Sequence, residues 1–213
     1  MPVKIKDIAP GDIERESFRI IEEELGPTTF PPEEFAVVRR MIHASGDFEF
    51  AKTVRFYPGA VEAGIRAILS GKDILVDVNM AFQGVSARIL QKFGGRLRCH
   101  IRDKEAQELA GKEGITRAEA GIELAAHEPI GIVAIGNAPT ALIRTIRMVR
   151  EGRFRPDLIV GVPVGFVNAR ESKELLIELD HPWITTLGRK GGTAIAVAAV
   201  NAILRLCEER KGL

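Results

Sequence analysis

Apolar positions recur at two different periods along this chain, and the change of period divides it. Up to about residue 69 the spacing is helical, which predicts helices over residues 12–25, 32–45 and 60–69. In the second of these, Phe35, Val38 and Ile42 fall on one face that would meet a core. Pro31 and Pro32 mark its start, with Thr28 or Thr29 available as a cap and Glu33 and Glu34 in the first turn. Gly46 marks its end.

After Gly71 short apolar runs alternate with helical segments. Residues 73–78, Asp-Ile-Leu-Val-Asp-Val, have the pattern of a buried strand, and a helix is expected over about residues 84–92. Residues 96–102 alternate strictly, with Leu97, Cys99 and Ile101 on one side and Arg98, His100 and Arg102 on the other. That pattern fits a half-exposed strand near a sheet edge. Residues 129–135, 157–162 and 183–187 complete about five strands, each followed by a helix. The alternation predicts an α/β fold: a doubly wound, mainly parallel sheet of about five strands, helices on both faces, and a helical N-terminal segment. Ligands in such folds bind beyond the carboxyl ends of the strands, so the loops there carry the functional question.

Composition narrows the class. The chain has 213 residues, and with no repeat or low-complexity segment a single domain over residues 1–213 is expected. Its 46% hydrophobic and 28% charged content suits a globular protein, and a net charge of +1 argues against a nucleic-acid or membrane-surface partner attracted by bulk charge. Arginines cluster at 96, 98 and 102 and again at 144, 147, 150, 153 and 155, for which solvated faces are the ordinary reading. Cys99 and Cys207 lack any paired spacing and read as buried thiols, so neither a disulfide framework nor a metal site is expected. Residues 1–7 lack the apolar stretch of a secretory signal, and the nearest approach to a membrane span, residues 193–206, is broken by Asn201 and Arg205. A cytoplasmic location is the expectation.

With four histidines and two cysteines, few residues suit acid–base work near neutral pH. His43, in Arg39-Arg40-Met41-Ile42-His43-Ala44-Ser45-Gly46, has the best setting, since it lies in the last turn of a helix, at the negative end of the macrodipole. On position alone, a capping or core histidine is the alternative.

Three strand-to-helix junctions also stand out. Gly136-Asn137-Ala138-Pro139-Thr140 places Asn137 near a cap and offers backbone N–H groups to an anion. Residues 161–173 carry Gly161 and Gly165, and Asn168 with Glu171 resembles a capping box. Gly188-Arg189-Lys190-Gly191-Gly192-Thr193 sets two cations and glycines before an alanine-rich helix. Each alone is what an α/β fold needs for its turns. Together on one edge, with Arg170, Lys173, Arg189 and Lys190, they suggest a site for a large polyanion. No phosphate loop, dinucleotide fingerprint, zinc-protease helix or nucleophile elbow is present in the sequence.

These segments together resemble the precorrin-8X methylmutases, also called precorrin isomerases. The resemblance is carried by Arg39-Arg40-Met41-Ile42-His43, residues 136–142, Gly161-Val162-Pro163-Val164-Gly165-Phe166-Val167, Glu171-Ser172-Lys173 and residues 188–193, with Ser17-Phe18 and Ile20-Ile21 near the start. It implies an enzyme of cobalamin biosynthesis that moves a methyl group from C11 to C12 of a tetrapyrrole, yielding hydrogenobyrinate or cobyrinate. It further implies a homodimer with a cleft near the interface, no cofactor, and His43 as the catalytic residue. Around the substrate it places Arg15, Ser17, Arg39, Ser86, Arg117, Asn137, Thr140, Gly165, Glu171, Ser172 and Arg189. Ser17, mid-helix, has a solvent-facing position as its alternative, and Thr116, just before Arg117, suits an N-cap. Glu14, where some relatives carry tyrosine, and Ser86 depart from the family pattern, which favours a cobalt-containing substrate. A tetrapyrrole carrier without catalysis is the rival reading.

Overall fold

The structure, a computed structural model, describes residues 5–213; residues 1–4, which open the segment read above for a secretory signal, lie outside the described residues. Six strands form one sheet: β1 (Val54–Phe56), β2 (Asp73–Val76), β3 (Leu97–Arg98), β4 (Ile130–Ile135), β5 (Leu158–Gly161) and β6 (Trp183–Thr186). Their order is β1-β6-β5-β4-β2-β3, parallel except for β1, which lies antiparallel to β6 at one edge. The expected doubly wound, mainly parallel sheet is present with one strand more than the pattern gave. β1 is too short to show a period between the helical runs around it. It is fixed by pairing with distant residues: the ladder is continued by Tyr57 N–H to the Trp183 carbonyl (2.9 Å) and Leu187 N–H to the Thr53 carbonyl (2.8 Å).

β3 is the other correction. It lies at a sheet edge as expected, but only Leu97–Arg98 of the alternating run is strand. The buried Asp73 carboxylate holds it there, accepting from Arg96 N–H and Arg98 Nε, both at 2.7 Å. Beyond it the chain turns, with Asp103 N–H donating to the His100 carbonyl and the His100 Nδ1 2.6 Å from the Asp103 carboxylate. Alternation reports which side chains are polar, and a turn with polar side chains satisfies it equally well.

The helices are α1 (Ile13–Leu25), α2 (Pro32–Ser45), α3 (Phe50–Thr53), α4 (Ala60–Leu69), α5 (Asn79–Gly84), α6 (Ala87–Lys92), α7 (Lys104–Glu113), α8 (Arg117–Ala125), α9 (Pro139–Arg150), α10 (Ala169–Ile177) and α11 (Thr193–Lys211). Successive strand residues point to opposite faces. Ile74, Val76, Ile132, Ala134, Leu158 and Val160 meet α2, α4, α6 and α11 on one face; Leu75, Val133, Ile135 and Ile159 meet α8, α9 and α10 on the other. The helix expected over about residues 84–92 begins only at Ala87, as α6, because Val85 is extended; Gly84 instead closes a separate helix, α5. Asn201 of α11 bridges the break: its Oδ1 accepts from Ser86 N–H (2.9 Å) and its Nδ2 donates to the Gly84 carbonyl (3.0 Å).

Asn137 lies next to the cap position of α9, Ala138, with Pro139 in the first turn as expected. Two other capping expectations are corrected. Neither Thr28 nor Thr29 caps α2; the cap position is Pro31, and Thr28 Oγ1 accepts from Phe30 N–H instead. Asn168 and Glu171 form no capping box, since Asn168 sits in the left-handed region (φ 58°) with no side-chain bond to the helix. The box that does form is Thr116 with Glu119 at the start of α8.

The arginine clusters are laced with carboxylates: Arg98 pairs with Asp73, Arg144 and Arg153 with Glu123, and Arg150 with Glu178. Cys207 is buried and Cys99 half-buried, and burial pushes both thiols up, that of Cys207 to about 12. Among the described residues no helix is long and apolar enough to cross a membrane.

From β2 the chain passes to β3 on one side, and from β4 it works outward to β5 and β6 on the other, so the switch point of the sheet lies between β2 and β4. Gly136, at the end of β4, packs directly on the start of α11: a Cβ there would come within 2.6 Å of the Thr193 Cα and 2.8 Å of the Gly192 carbonyl oxygen. Both obstacles are backbone. Gly136→Ala should therefore lower unfolding free energy by about 1–3 kcal/mol, read as a reduced midpoint in urea. An unchanged midpoint would mean the two loops separate freely.

Candidate active site

Helix α2 ends as its sequence requires. Gly46 adopts a left-handed conformation (φ 65°) and its N–H closes on the Ile42 carbonyl at 2.7 Å. Val38, Met41 and Ile42 are buried beneath the helix, which leaves His43 exposed on its last turn. The ring of Phe18 on α1 meets the imidazole edge to face at 5.3 Å. The same ring carries the Arg39 guanidinium at 4.2 Å and that of Arg40 at 5.2 Å. One aromatic side chain thus orients three polar groups of α2.

His43 borders a cavity of about 340 Å³ with Arg40, Met80, Gly84, Thr193, Val197 and Asn201. Through the shared residues Ala44, Met80, Thr193 and Ala194 it continues into a second hollow of about 430 Å³ that reaches Asp47, Val164, Lys190 and Gly191. The result is an open groove along the first turns of α11. No side chain caps that helix and its first turn holds no acidic residue, so its N-terminal N–H groups favour an anion. Cations at the groove are already engaged. Arg40 bonds Glu14 at 3.1 Å; burial acts to raise the Glu14 carboxyl, but the hydrogen bond and charge of Arg40 hold it below the usual carboxylate range. Lys190 Nζ lies 2.6 Å from both Asp47 and Glu49.

The expected site residues divide by location. His43 lines the groove, and Ser86 adjoins it through Asn201. Arg15 and Arg39 border a broader depression of about 1070 Å³ beneath residues 6–12, on the far side of Phe18. Arg15 is paired there with Asp12, and Arg39 with Glu22, so it is Arg40 that reaches the groove. The Ser17 hydroxyl donates to the Ile13 carbonyl one turn back (2.8 Å). Arg117 is exposed at the start of α8, next to Thr116, whose hydroxyl lies 3.0 Å from that of Thr140. Gly165 N–H donates to the Arg189 carbonyl (3.3 Å), and the Arg189 guanidinium lies 5.4 Å from the Phe166 ring with no carboxylate partner among the described residues. Glu171 is exposed. Ser172 is buried, and its hydroxyl is spent on the Ala169 carbonyl, so it faces its own helix and not the groove. Of the four cations read as one cluster, Arg170 pairs with Glu174, Lys190 with Asp47 and Glu49, and Lys173 is buried; Arg189 alone is both exposed and unpaired.

The anion site expected at residues 136–140 is filled from within. Asp77, just past β2 and only 4% exposed, accepts from the N–H groups of Asn137 and Ala138, both at 2.8 Å, and of Gly136 at 3.3 Å. Its carboxylate spans the switch point between β2 and β4, the place where a ligand is usually held in such sheets. Burial pushes the Asp77 carboxyl up, against the three amide donations. The sequence pattern gave Asp77 no role beyond a strand, since its partners lie some sixty residues away. Asn201, read only as a break in an apolar run, and Met80 were also unmarked. A polar residue on an otherwise apolar helix face is the signal that pointed to Asn201. Among the described residues no three His, Cys, Asp or Glu side chains gather to hold a metal ion.

The family model described as precorrin-8X methylmutase matches residues 12–206 of this chain. A cobalt-precorrin-8 methylmutase of Priestia megaterium is 46% identical over 202 residues, covering 94% of this chain and 90% of that protein. One of Leptospira interrogans is 42% identical over 208 residues, covering 93% and 94%. Among solved structures, the precorrin-8x methyl mutase of Thermus thermophilus superimposes with a TM-score of 0.86 at 44% identity, covering 93% of this chain and 98% of that one.

Asp77 gives this edge of the sheet a direct test. Asp77→Ala leaves three amide donors, that of Gly136 buried and those of Asn137 and Ala138 partly so, without their acceptor and should lower unfolding free energy by about 3 kcal/mol. Asp77→Asn, which keeps one acceptor oxygen, should lose less. Equal stability of both variants and the parent in chemical denaturation would show that the amides find other partners.

Proposed function

The chain belongs to the precorrin-8X methylmutase family, and we propose that it moves a methyl group from C11 to C12 within one tetrapyrrole molecule, with His43 as the proton donor. The observation that carries this reading is His43 itself: an exposed imidazole on a rigid helix end, held by Phe18 and opening onto the groove. The shift breaks one carbon–carbon bond and makes another in the same molecule, so no hydride, electron or acyl carrier is consumed. What the reaction needs is a held macrocycle and an electron-poor ring. Protonation of a ring nitrogen by His43, or a strong hydrogen bond to it, draws electron density from the migrating system, and the proton returns when the methyl group has moved. The relatives named above as cobalt-precorrin-8 methylmutases support a cobalt-containing substrate, with cobyrinate as product.

The carboxylate arms of such a substrate suit the uncapped start of α11 and the cations around it. Arg189 stands unpaired among the described residues. Lys190 and Arg40 are held by carboxylates that are themselves half-exposed, and surface pairs of that kind exchange partners at a cost of about 0–1 kcal/mol. Along the rim of the groove Met80 and Val164 are exposed apolar side chains, and Phe166 and Val167, shortly after Val164 in the chain, are exposed as well. A second copy of the chain closing over that rim completes the cleft in this reading.

His43→Ala should slow the rearrangement by about 10²–10⁴-fold while cobyrinate still binds, followed by the absorption change as the corrin chromophore forms. Retained turnover removes the proposed donor, and binding by the parent protein with no spectral change would favour a carrier. For the assembly, sedimentation at micromolar concentration should give a dimer; a monomer at that concentration overturns the shared cleft.

A further inference from the structure

Lys173 is the largest fully buried side chain among the described residues, 1% exposed. It rises from α10 beneath the loop of residues 188–193. Its Nζ donates to the Lys190 carbonyl at 2.7 Å and to Thr186 Oγ1 at 3.3 Å, and Thr186 Oγ1 donates to the same carbonyl at 2.9 Å. Among the described residues no carboxylate lies within ion-pair distance of it. The other charges near this loop are exposed or paired: the Arg189 guanidinium is exposed and lies 5.4 Å from the Phe166 ring. Lys190 turns outward to Asp47 and Glu49, and Arg170 on the same helix pairs with Glu174, beside the exposed Glu171. From α9, Arg144 and Arg150 pair with Glu123 and Glu178, and Arg147 is exposed; β6 brings no titratable group. The ammonium is therefore buried, hydrogen-bonded to two neutral oxygens, and without a counter-charge among the described residues.

Such a group is costly to keep. Burial pulls the Lys173 ammonium down to about 8 from the ordinary 10.5. Between those values the unfolded chain binds the extra proton, so stability rises with pH across that window, and the buried charge detracts from stability at neutral pH. An apolar side chain of similar length would serve packing better. The retained charge calls for a use, and the Lys190 carbonyl shows where it lies, one peptide group below the groove lining formed by Lys190 and Gly191.

We propose that Lys173 is a positioning residue and the hidden counter-charge of the groove, fixing the Lys190 carbonyl and drawing one carboxylate arm of the substrate to the start of α11, beside Lys190 and Gly191. This rests on the tetrapyrrole reading above and names a residue for it. An anion there completes the missing pair in a medium of low dielectric, so binding and protonation of Lys173 favour each other. Affinity is then full below the value near 8 and falls as pH rises through it.

The test uses the full chain and cobyrinate as the probe, titrated by absorbance at pH 7 and pH 9.5. The parent protein should bind about tenfold more weakly at the higher pH. Lys173→Met should bind at pH 7 about as weakly as the parent does at pH 9.5, show no pH dependence, and melt at a temperature equal to or above the parent's. The matching turnover change should fall on KM, with kcat near the parent's. Lys173→Gln, which keeps a donor without the charge, should bind like Lys173→Met. Should the methionine variant fold poorly, the pH profile of the parent and the glutamine variant decide. A pH-independent parent, or a Lys173→Gln variant that binds as the parent does at pH 7, overturns the proposal. If the parent neither binds nor rearranges the tetrapyrrole at any pH, the functional reading itself fails.

Discussion

Everything at the site depends on how closely α11 lies along α2. The facing surface of α11 is built from small residues, with Ala198 and Ala202 buried and Ala194 lining the groove. Small side chains let helix axes approach, and the larger ones of α2, Val38, Met41 and Ile42, fill the space below. Each of those buried side chains contributes about 1.5–3 kcal/mol, enough that the end of α2 is not free to move independently of the core. His43 is exposed, yet its helix is fixed on one side by α11 and on the other by Phe18 of α1. A proton donor needs that combination of access and fixed direction, because a small displacement of a reacting group lowers a rate steeply.

The electrostatics of the groove follow a different rule from the one its composition suggested. A cluster of four cations was expected to await a polyanion, but two of them, Arg170 and Lys190, are already paired, as is Arg40 beside them. Arg40 with Glu14 and Lys190 with Asp47 and Glu49 form a preset lattice of weak, exposed pairs. Such a lattice holds long side chains in place in the empty protein and can be re-sorted by incoming carboxylates, since an exposed pair adds little net free energy. It also explains why a groove for an acidic ligand needs no strongly basic chain, and the net charge of +1 is compatible with it.

How much of this was legible depends on how local each feature is. The parallel sheet, its helices and the end of α2 were readable because hydrophobic period and a stop glycine act over a few residues. The place of His43 on that last turn was readable for the same reason. β1 was missed and β3 drawn too long because both are decided by partners elsewhere, Trp183 and Thr53 for one and Asp73 for the other. The capping errors share that origin: Asn168 has the right side chain for a box, but its left-handed backbone turns it away. Asp77 was the largest omission. Its chemistry is invisible in the sequence because the amides it serves enter from β4, across the switch point. Most of the other expected site positions came from family resemblance and not from pattern, and of the two neighbouring arginines it is Arg40, not Arg39, that lines the groove.

Two buried charges of opposite sign emerge as the frame of this edge. Asp77 takes backbone N–H groups of residues 136–138, and Lys173 gives to the backbone carbonyl of Lys190. Neither neutralises the other, and neither pairs with a side-chain charge. Each fixes a loop through its peptide groups, and the loops meet where Gly136 packs against Gly192 and Thr193. A charge bonded to backbone constrains a loop more sharply than apolar packing does, because charge-assisted hydrogen bonds are short and directional. The arrangement puts the start of α11, and with it the groove wall facing His43, under the control of two groups whose burial works against their ionisation. Shape and charge at the site are therefore set by the same atoms. A change to either residue made to stabilise the fold would be felt first in the groove.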